Sequence, residues 1–370
     1  MKKDRNICYT RISAAGWEFL LKKQFPTKTL TMAAFEIDPD IRKARTISSE
    51  FYTDERYFEL SKEKIFVKSW QFVGTKDEVN NVRPVTLLEN ILDEPILITK
   101  NGETFNCFSN VCTHRGKILV EEPAAASLIR CGYHGRRFSL DGNFLSMPEF
   151  EGVDNFPSES DNLPRISSAG WGDFLFASLD PAASFTDFVG AASSAVDIKA
   201  YAEARLVLAH EYDIDAHWAL YCENYLEGFH IPFVHHSLNE VVDYGSYTTE
   251  TFRYSSLQTG FDYQKNAAGH YVFIFPNLMF NFYPWGISVN IVKPVSPAKT
   301  RVEFLKYVSD ESKLGTGAGA DLHRVEMEDE KIVESVQKGI RSRFYSHGRY
   351  SPTREQGTHH FHRLIAEFMK

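Results

Sequence analysis

Two loops, Cys112-Thr-His114-Arg-Gly116 and Cys131-Gly-Tyr-His134-Gly135, lie sixteen residues apart counted between His114 and Cys131, and they decide the first half of the chain. Each offers one thiolate and one imidazole. In a [2Fe-2S] centre with two Cys on one iron and two His on the other, each such loop spans both metals. Neutral imidazoles leave less negative charge on the cluster than four thiolates would, raising its potential to roughly −150 to +300 mV, within reach of a ferredoxin-like donor. Gly116, Gly132 and Gly135 let the backbone approach the sulfides and aim N–H groups at them. A Cys2His2 zinc site is the competing interpretation, but zinc modules separate the Cys pair from the His pair, whereas each pair here is mixed. Cys8, Cys107 and Cys222 have no such partners and read as small, partly buried side chains.

Around these loops, from Gln71 to about Leu179, short β-branched and aromatic runs (Ile96 to Thr99, Phe105 to Phe108, Phe174 to Ser178) alternate with turn signals such as Asn101-Gly102 and Asp141-Gly142, predicting a small all-β domain. Upstream, Phe51 to Trp70 carries helical spacing. Downstream, an Ala-rich stretch after Asp180-Pro181 reads as a surface helix or connector ending near Arg205. Beyond it, Ile287, Val289 and Ile291 alternate with Ser288 and Asn290 in a strand pattern, and helical patterns cover Trp218 to His230 and Asp321 to Ile340. The second domain is therefore expected to be α+β.

A second constellation lies in the first of those helices. A helical projection puts Glu223, Asn224, Glu227 and His230 on one side, with Trp218, Cys222, Tyr225 and Phe229 opposite. His235 would diverge on an unbroken helix, but Pro232 is expected to end the helix and bring the second imidazole round to His230. Two His and a carboxylate with vacant positions form the site of non-haem Fe(II) oxygenases. The best carboxylate is Asp329. It projects among Val325, Ile332, Val333, Val336 and Ile340, while Glu328, Glu330, Lys331 and Glu334 point away, and an acid inside an apolar stripe needs a partner such as a metal. His236 reads as a neighbour. The run His359-His360-Phe361-His362 reads as packing or polar surface, since adjacent helical side chains diverge.

At 370 residues the chain exceeds one ordinary core and fits two domains. The net charge of −8 offers no basic surface, which disfavours nucleic acid. Five scattered cysteines make no disulfide framework, and no apolar run approaches the roughly 20 residues that span a bilayer; a soluble cytoplasmic protein is expected, without membrane contact. Residues 1–31 hold seven Lys or Arg against two acids. They read either as a targeting extension or as a mis-assigned start with Met32 the true beginning, and scarce Ser favours the second.

The two constellations in this order resemble the oxygenase (alpha) subunit of Rieske non-haem iron oxygenases, from about Phe51 to the C-terminus. Asn224-Tyr-Leu-Glu227, Phe273-Ile-Phe-Pro-Asn277, Glu328-Asp329 followed by Glu334-Ser-Val-Gln337, and Gly348-Arg-Tyr with His359-His-Phe-His362 look most like the choline monooxygenase and alkylammonium branch. The resemblance implies Cys112, His114, Cys131 and His134 as cluster ligands and His230, His235 and Asp329 as ligands of one mononuclear Fe(II). It implies that Glu227 bridges His230 to a cluster-side His of a neighbouring subunit in a homotrimer, and that Asn224 sits near the iron. One departure stands out. Relatives usually continue Cys-x-x-His with Gly-Trp, but here Gly135 precedes Arg136-Arg137, and altered docking of the reductase or trimer partner is expected.

The fold class that follows is α+β: an N-terminal all-β Rieske [2Fe-2S] domain, then an α+β helix-grip catalytic domain with an antiparallel sheet. The expected ranges are 1–47 for an N-terminal extension, 48–70 for a helix packing on the catalytic domain, 71–182 for the Rieske domain and 183–370 for the catalytic domain. No nucleotide-binding Gly-rich loop is present, so NAD(P)H would act through a separate ferredoxin or flavin reductase. The resulting oxygenase would use O2 to hydroxylate or N-demethylate a small quaternary ammonium compound (choline-, betaine- or carnitine-like), with an aromatic box around Phe275 to Trp285. The alternatives are an aromatic-ring hydroxylating mono- or dioxygenase and a non-enzymatic Rieske electron carrier.

Overall fold

Alternating sequence becomes sheet on both sides of the connector. The computed structural model describes residues 34–370, and the expectations for residues 1–31 lie outside the described residues. Ahead of the β domain, the helical pattern from Phe51 is cut at Asp54, whose extended backbone (ψ 116°) ends Glu50–Thr53 and whose carboxylate accepts from Arg56 N–H at 3.0 Å to start α1 (Glu55–Ser61). The chain then widens into one π-helical turn, Lys62–Phe66.

Three small antiparallel sheets follow. β1 (Gln71–Thr75) pairs with β9 (Phe174–Ser178), which pairs with β8 (Ser167–Trp171); β2 (Val82–Leu87), β3 (Glu94–Asn101) and β4 (Thr104–Ser109) form the second; β5 (Ile129–Arg130), β6 (Arg137–Phe138) and β7 (Phe144–Ser146) form the third. The runs expected at 96–99, 105–108 and 174–178 fall inside β3, β4 and β9. Between β9 and the large sheet, the Ala-rich stretch forms short turns of helix, Phe185–Val189, Ala192–Ala195 and Ile198–Tyr201.

The large sheet has seven antiparallel strands: β10 (Arg205–Ile214), β11 (Thr248–Thr251), β12 (Ser255–Phe261), β13 (Ala267–Ile274), β14 (Leu278–Tyr283), β15 (Gly286–Ser296) and β16 (Lys299–Val308), ordered β10-β16-β15-β14-β13-β12-β11. Side chains alternate across it. Phe280 and Phe282 face the small domain, where Trp171 lies 5.4 and 5.8 Å from them and Phe174 5.4 Å from Phe280, ring centroid to centroid. Tyr271, Asn281 and Ser288, in register across β13, β14 and β15, line a cavity on the other face.

Helices close that cavity. α2 (Trp218–Tyr225) and α3 (Ile231–Val234) lie on one side and α4 (Leu322–Gly339) on the other, with α5 (Gln356–Phe368) packed on α2. Asp321 caps α4, accepting from Arg324 N–H at 3.2 Å. Its apolar stripe departs from the expected register. Glu326, Val333, Gln337 and Ile340 are buried, whereas Ile332 and Val336 are exposed, so the inward face of α4 is partly polar. Residues 46–49 hydrogen-bond along 346–348, and Tyr52 reaches α2 to donate to Glu223 Oε1 at 2.7 Å.

Candidate metal centres

The two Cys-His loops are copies of one backbone turn. Cys112 N–H donates to Lys117 C=O at 2.8 Å and Gly116 N–H to Cys112 C=O at 3.0 Å; Cys131 N–H donates to Arg136 C=O at 2.8 Å and Gly135 N–H to Cys131 C=O at 3.1 Å. Gly116 (φ 74°) and Gly135 (φ 78°) occupy the left-handed region that closes each turn. Both thiols are buried, and the His114 and His134 rings meet edge to face, centroids 4.9 Å apart at 75°. His134 Nδ1 is buried without a hydrogen-bond partner among the described residues. Desolvation, then the neighbouring His134 and Arg136 charges, hold the His114 imidazole below its usual range, in the neutral form a metal binds. Two sulfurs and two nitrogens from matched loops, with one ring nitrogen orphaned, fit a [2Fe-2S] cluster.

Arg136 is no docking residue. Its side chain is 2% exposed, its guanidinium lies 4.9, 5.6 and 5.8 Å from the rings of Phe144, Phe156 and Phe138, and Asp161 pairs with it. It fills an aromatic niche from within, which corrects the expectation of altered docking for Arg136; Arg137 is exposed.

The second group forms differently from the sequence expectation. α2 ends at Tyr225, not at His230, and Leu226 N–H closes its last turn on Cys222 and Glu223 C=O, both at 3.1 Å. Glu227 then turns its carboxylate onto the N–H groups of Phe229 and His230, the latter at 3.1 Å. Pro232 sits in the first turn of α3, where a missing N–H is harmless, so it opens a helix instead of closing one. The two imidazoles meet all the same. Glu223, projected toward them, faces Tyr52 and His362 instead.

His230 Nε2 and His235 Nε2 lie 3.1 Å apart, and His235 Nε2 is 3.0 Å and His230 Nε2 3.6 Å from Asp329 Oδ1. His230 Nδ1 donates to Glu227 Oε1 at 2.7 Å and His235 Nδ1 to Glu328 Oε2 at 2.8 Å, which leaves each Nε2 a bare lone pair. Asn224 Nδ2 donates to Asp329 Oδ1 at 2.6 Å. Burial would lower His235, but Asp329 and Glu328 outweigh it and raise its affinity for a positive charge. Three converging acceptors repel one another unless a cation lies among them, and this donor set fits one metal ion with open positions. Glu328, expected to point away, thus orients a ring. His236 is exposed, as expected of a neighbour. Contrary to the surface alternative, His359 and His362 are buried, His359 Nε2 donating to Asp38 C=O at 2.8 Å and His362 lying between Glu223 and Tyr350.

A cavity of about 120 Å³ opens beside this group. Tyr225, Tyr247, Tyr271 and Tyr283 wall one part; the Tyr247 and Tyr271 rings lie 6.4 Å apart at 20°, and Tyr271 and Tyr283 5.9 Å apart at 76°. Of the aromatics expected around Phe275 to Trp285, only Tyr283 lines it. A polar chain forms the rest. Tyr225 OH donates to Asn281 Oδ1 (2.7 Å), Asn281 Nδ2 to Ser288 Oγ (3.0 Å), Asn290 Nδ2 to Tyr221 OH (3.2 Å), and Tyr221 OH to Glu326 Oε1 (2.6 Å). Burial pushes the Glu326 carboxyl up to about 8, against the Tyr221 bond that lowers it. Sequence patterning missed Glu326, one acid in an acidic helix; Ser288 and Asn290, polar in a strand buried on both faces, were the available signal of a cavity wall.

Residues 69–157 match the family model "Rieske [2Fe-2S] domain" and residues 244–370 the model "Ring hydroxylating alpha subunit (catalytic domain)". The chain is 29% identical to chloroplastic choline monooxygenase of Arabidopsis thaliana, over 94% of this chain and 88% of that protein. It is 31% identical to the carnitine monooxygenase oxygenase subunit of Escherichia coli (strain K12), over 89% of this chain and 95% of that one. A solved quaternary ammonium Rieske monooxygenase, described in connection with carnitine oxidation and inter-subunit electron transfer, superposes with a TM-score of 0.73 at 25% identity, over 91% of this chain and 100% of that one.

Proposed function

Because this chain belongs to the Rieske non-haem iron oxygenases, as an oxygenase subunit with an all-β cluster domain and an α+β catalytic domain, we propose that it hydroxylates or N-demethylates a small quaternary ammonium compound. The observation that carries the substrate class is the four-tyrosine wall opening on His230, His235 and Asp329. Ring faces attract a cation that has no hydrogen to donate, and desolvation strengthens that attraction. The choline and carnitine names of the relatives support the same class. A ring hydroxylase would be served by an apolar pocket, and the Asn281, Ser288 and Asn290 wall argues against it. A bare electron carrier has no use for a second ligand group beside a cavity.

In this assignment Cys112, His114, Cys131 and His134 hold the [2Fe-2S] cluster, and His230, His235 and Asp329 hold the iron. When bound, the cluster supplies one-electron transfer and the mononuclear iron supplies O2 activation. The chain's own part is orientation. Glu227 and Glu328 fix the tautomer and plane of the two imidazoles, and Asn224 holds one Asp329 oxygen in place. Glu227 is also the acid that would meet a cluster-side His of a neighbouring subunit in a homotrimer. Residues 71–182 are the cluster domain, 183–370 the catalytic domain, and 48–70 the segment packed on it, in line with the Tyr52 to Glu223 bond. Electrons come from NAD(P)H through a separate reductase. Among the described residues no helix is long and apolar enough to cross a membrane. A reducing compartment, the cytoplasm, suits the free thiols of Cys107 and Cys222.

Purified protein with a surrogate reductase, O2 and a panel of alkylammonium and aromatic substrates tests this directly. Product from the alkylammonium members is expected. Iron content should be about three per chain, falling to about two when His230 and His235 are both replaced by Ala. Oxygenation of aromatics alone would overturn the substrate class; two iron per chain before and after replacement would overturn the oxygenase assignment.

A further inference from the structure

Apart from the metal, the charges around the cavity have one sign. Besides the two imidazoles of the metal group, the ionisable acids lining it are Glu227, Glu326 and Asp329, and among the described lining residues there is no Lys or Arg. Glu227 and Asp329 match the two charges that a divalent ion would bring, and Glu326 adds a third acid that burial holds protonated until a cation enters. Asn281, Ser288 and Asn290 supply hydrogen-bonding groups without charge, and their bonds run in one chain to Tyr221 and Glu326. Glu326 is 4% exposed, and its two oxygens share one donor, Tyr221 OH, at 2.6 and 2.8 Å. A carboxylate has about four lone-pair sites, so this one is left electrostatically underserved.

Resting on the quaternary ammonium reading above, we propose that this cavity selects a monocationic trialkylammonium compound whose far end is uncharged, an alcohol or ether, over a zwitterion whose far end is a carboxylate. A lone cation is attracted by every acid in the lining and by the tyrosine faces. A zwitterion brings a carboxylate that no Lys or Arg of the lining can pair, and away from the metal its desolvation is uncompensated. Like charge set against buried acid is a strong means of rejecting a substrate that shares the same ammonium head. Burial leaves Glu326 favouring its protonated form; a cation in the cavity favours the ionised form, and a substrate carboxylate opposes it.

Binding without turnover tests the proposal. The iron-loaded, fully oxidised enzyme, without reductase, would be titrated calorimetrically with choline, γ-butyrobetaine, L-carnitine and 3,3-dimethylbutanol, the uncharged carbon isostere of choline. Choline is expected to bind roughly 10-fold or more tightly than either zwitterion. Glu326→Gln, which keeps the shape, should weaken choline by roughly 10-fold and leave 3,3-dimethylbutanol unchanged. Zwitterions that bind as tightly as choline to the unaltered enzyme overturn the proposal, whether or not the variant folds; so does a choline-to-zwitterion ratio unmoved by Glu326→Gln. The broader reading fails separately, when no trimethylammonium compound binds and naphthalene, titrated alongside them, does.

Discussion

Arg136 brings a full charge into a domain too small to hide it easily. The guanidinium is tolerated because three aromatic faces and Asp161 surround it. Removing one partner of a buried pair leaves the other uncompensated, so Arg136→Ala should cost about 3–5 kcal/mol. The check is the temperature at which the visible absorption of the iron-sulfur chromophore is lost, which should fall while the spectrum at low temperature is unchanged. Glu227 acts through another residue. Glu227→Gln keeps an acceptor for His230 Nδ1–H but removes the charge, and product formation should drop roughly 10–100-fold with iron content retained. Loss of iron in that variant would instead make Glu227 part of the binding set. At this scale the meeting of the two Cys-His loops was legible, because their spacing alone suggests two thiols and two imidazoles brought together. Glu326 was not, since nothing local separates a buried acid in α4 from its exposed neighbours.

Elements were legible where a period was strong and blurred where a side chain bonded its own backbone. β3, β4, β9 and the alternation along β15 followed their patterns. α2 stopped a turn early because Glu227 satisfies the N–H groups that a continuing helix would have used. The α4 stripe was misjudged for a related reason. Its inward face meets a polar wall, so hydrophobicity was a poor guide to which side is buried. The turn after α2 is also held from outside by α5, where a side chain at Gly357 would strike Leu226 C=O. Gly357→Ala should therefore destabilise by about 1–3 kcal/mol, read as a lowered melting temperature. It should also loosen the mononuclear iron, which dialysis against a chelator would show; unchanged retention would mean that α5 does not set the turn.

At the scale of the whole molecule, the cluster loops and the mononuclear group sit in different architectures joined by an aromatic seam along β14. The proposed electron path through Glu227 closes between chains, and complementation decides it. Chains carrying Cys112→Ala and chains carrying His230→Ala, each inactive alone, should recover product formation when co-expressed in one assembly. No recovery, with mixed assemblies verified by mass, would place the path inside one chain.

The two faces of β14 also bear on descent. Phe280 and Phe282 on one side grip the small domain, while Asn281 and Tyr283 on the other shape the cavity, and each strand position belongs to one task only. Mutational drift on the cavity side leaves the seam untouched. A lineage can therefore trade one ammonium compound for another by single steps at alternate residues, without passing through ancestors whose domains have come apart.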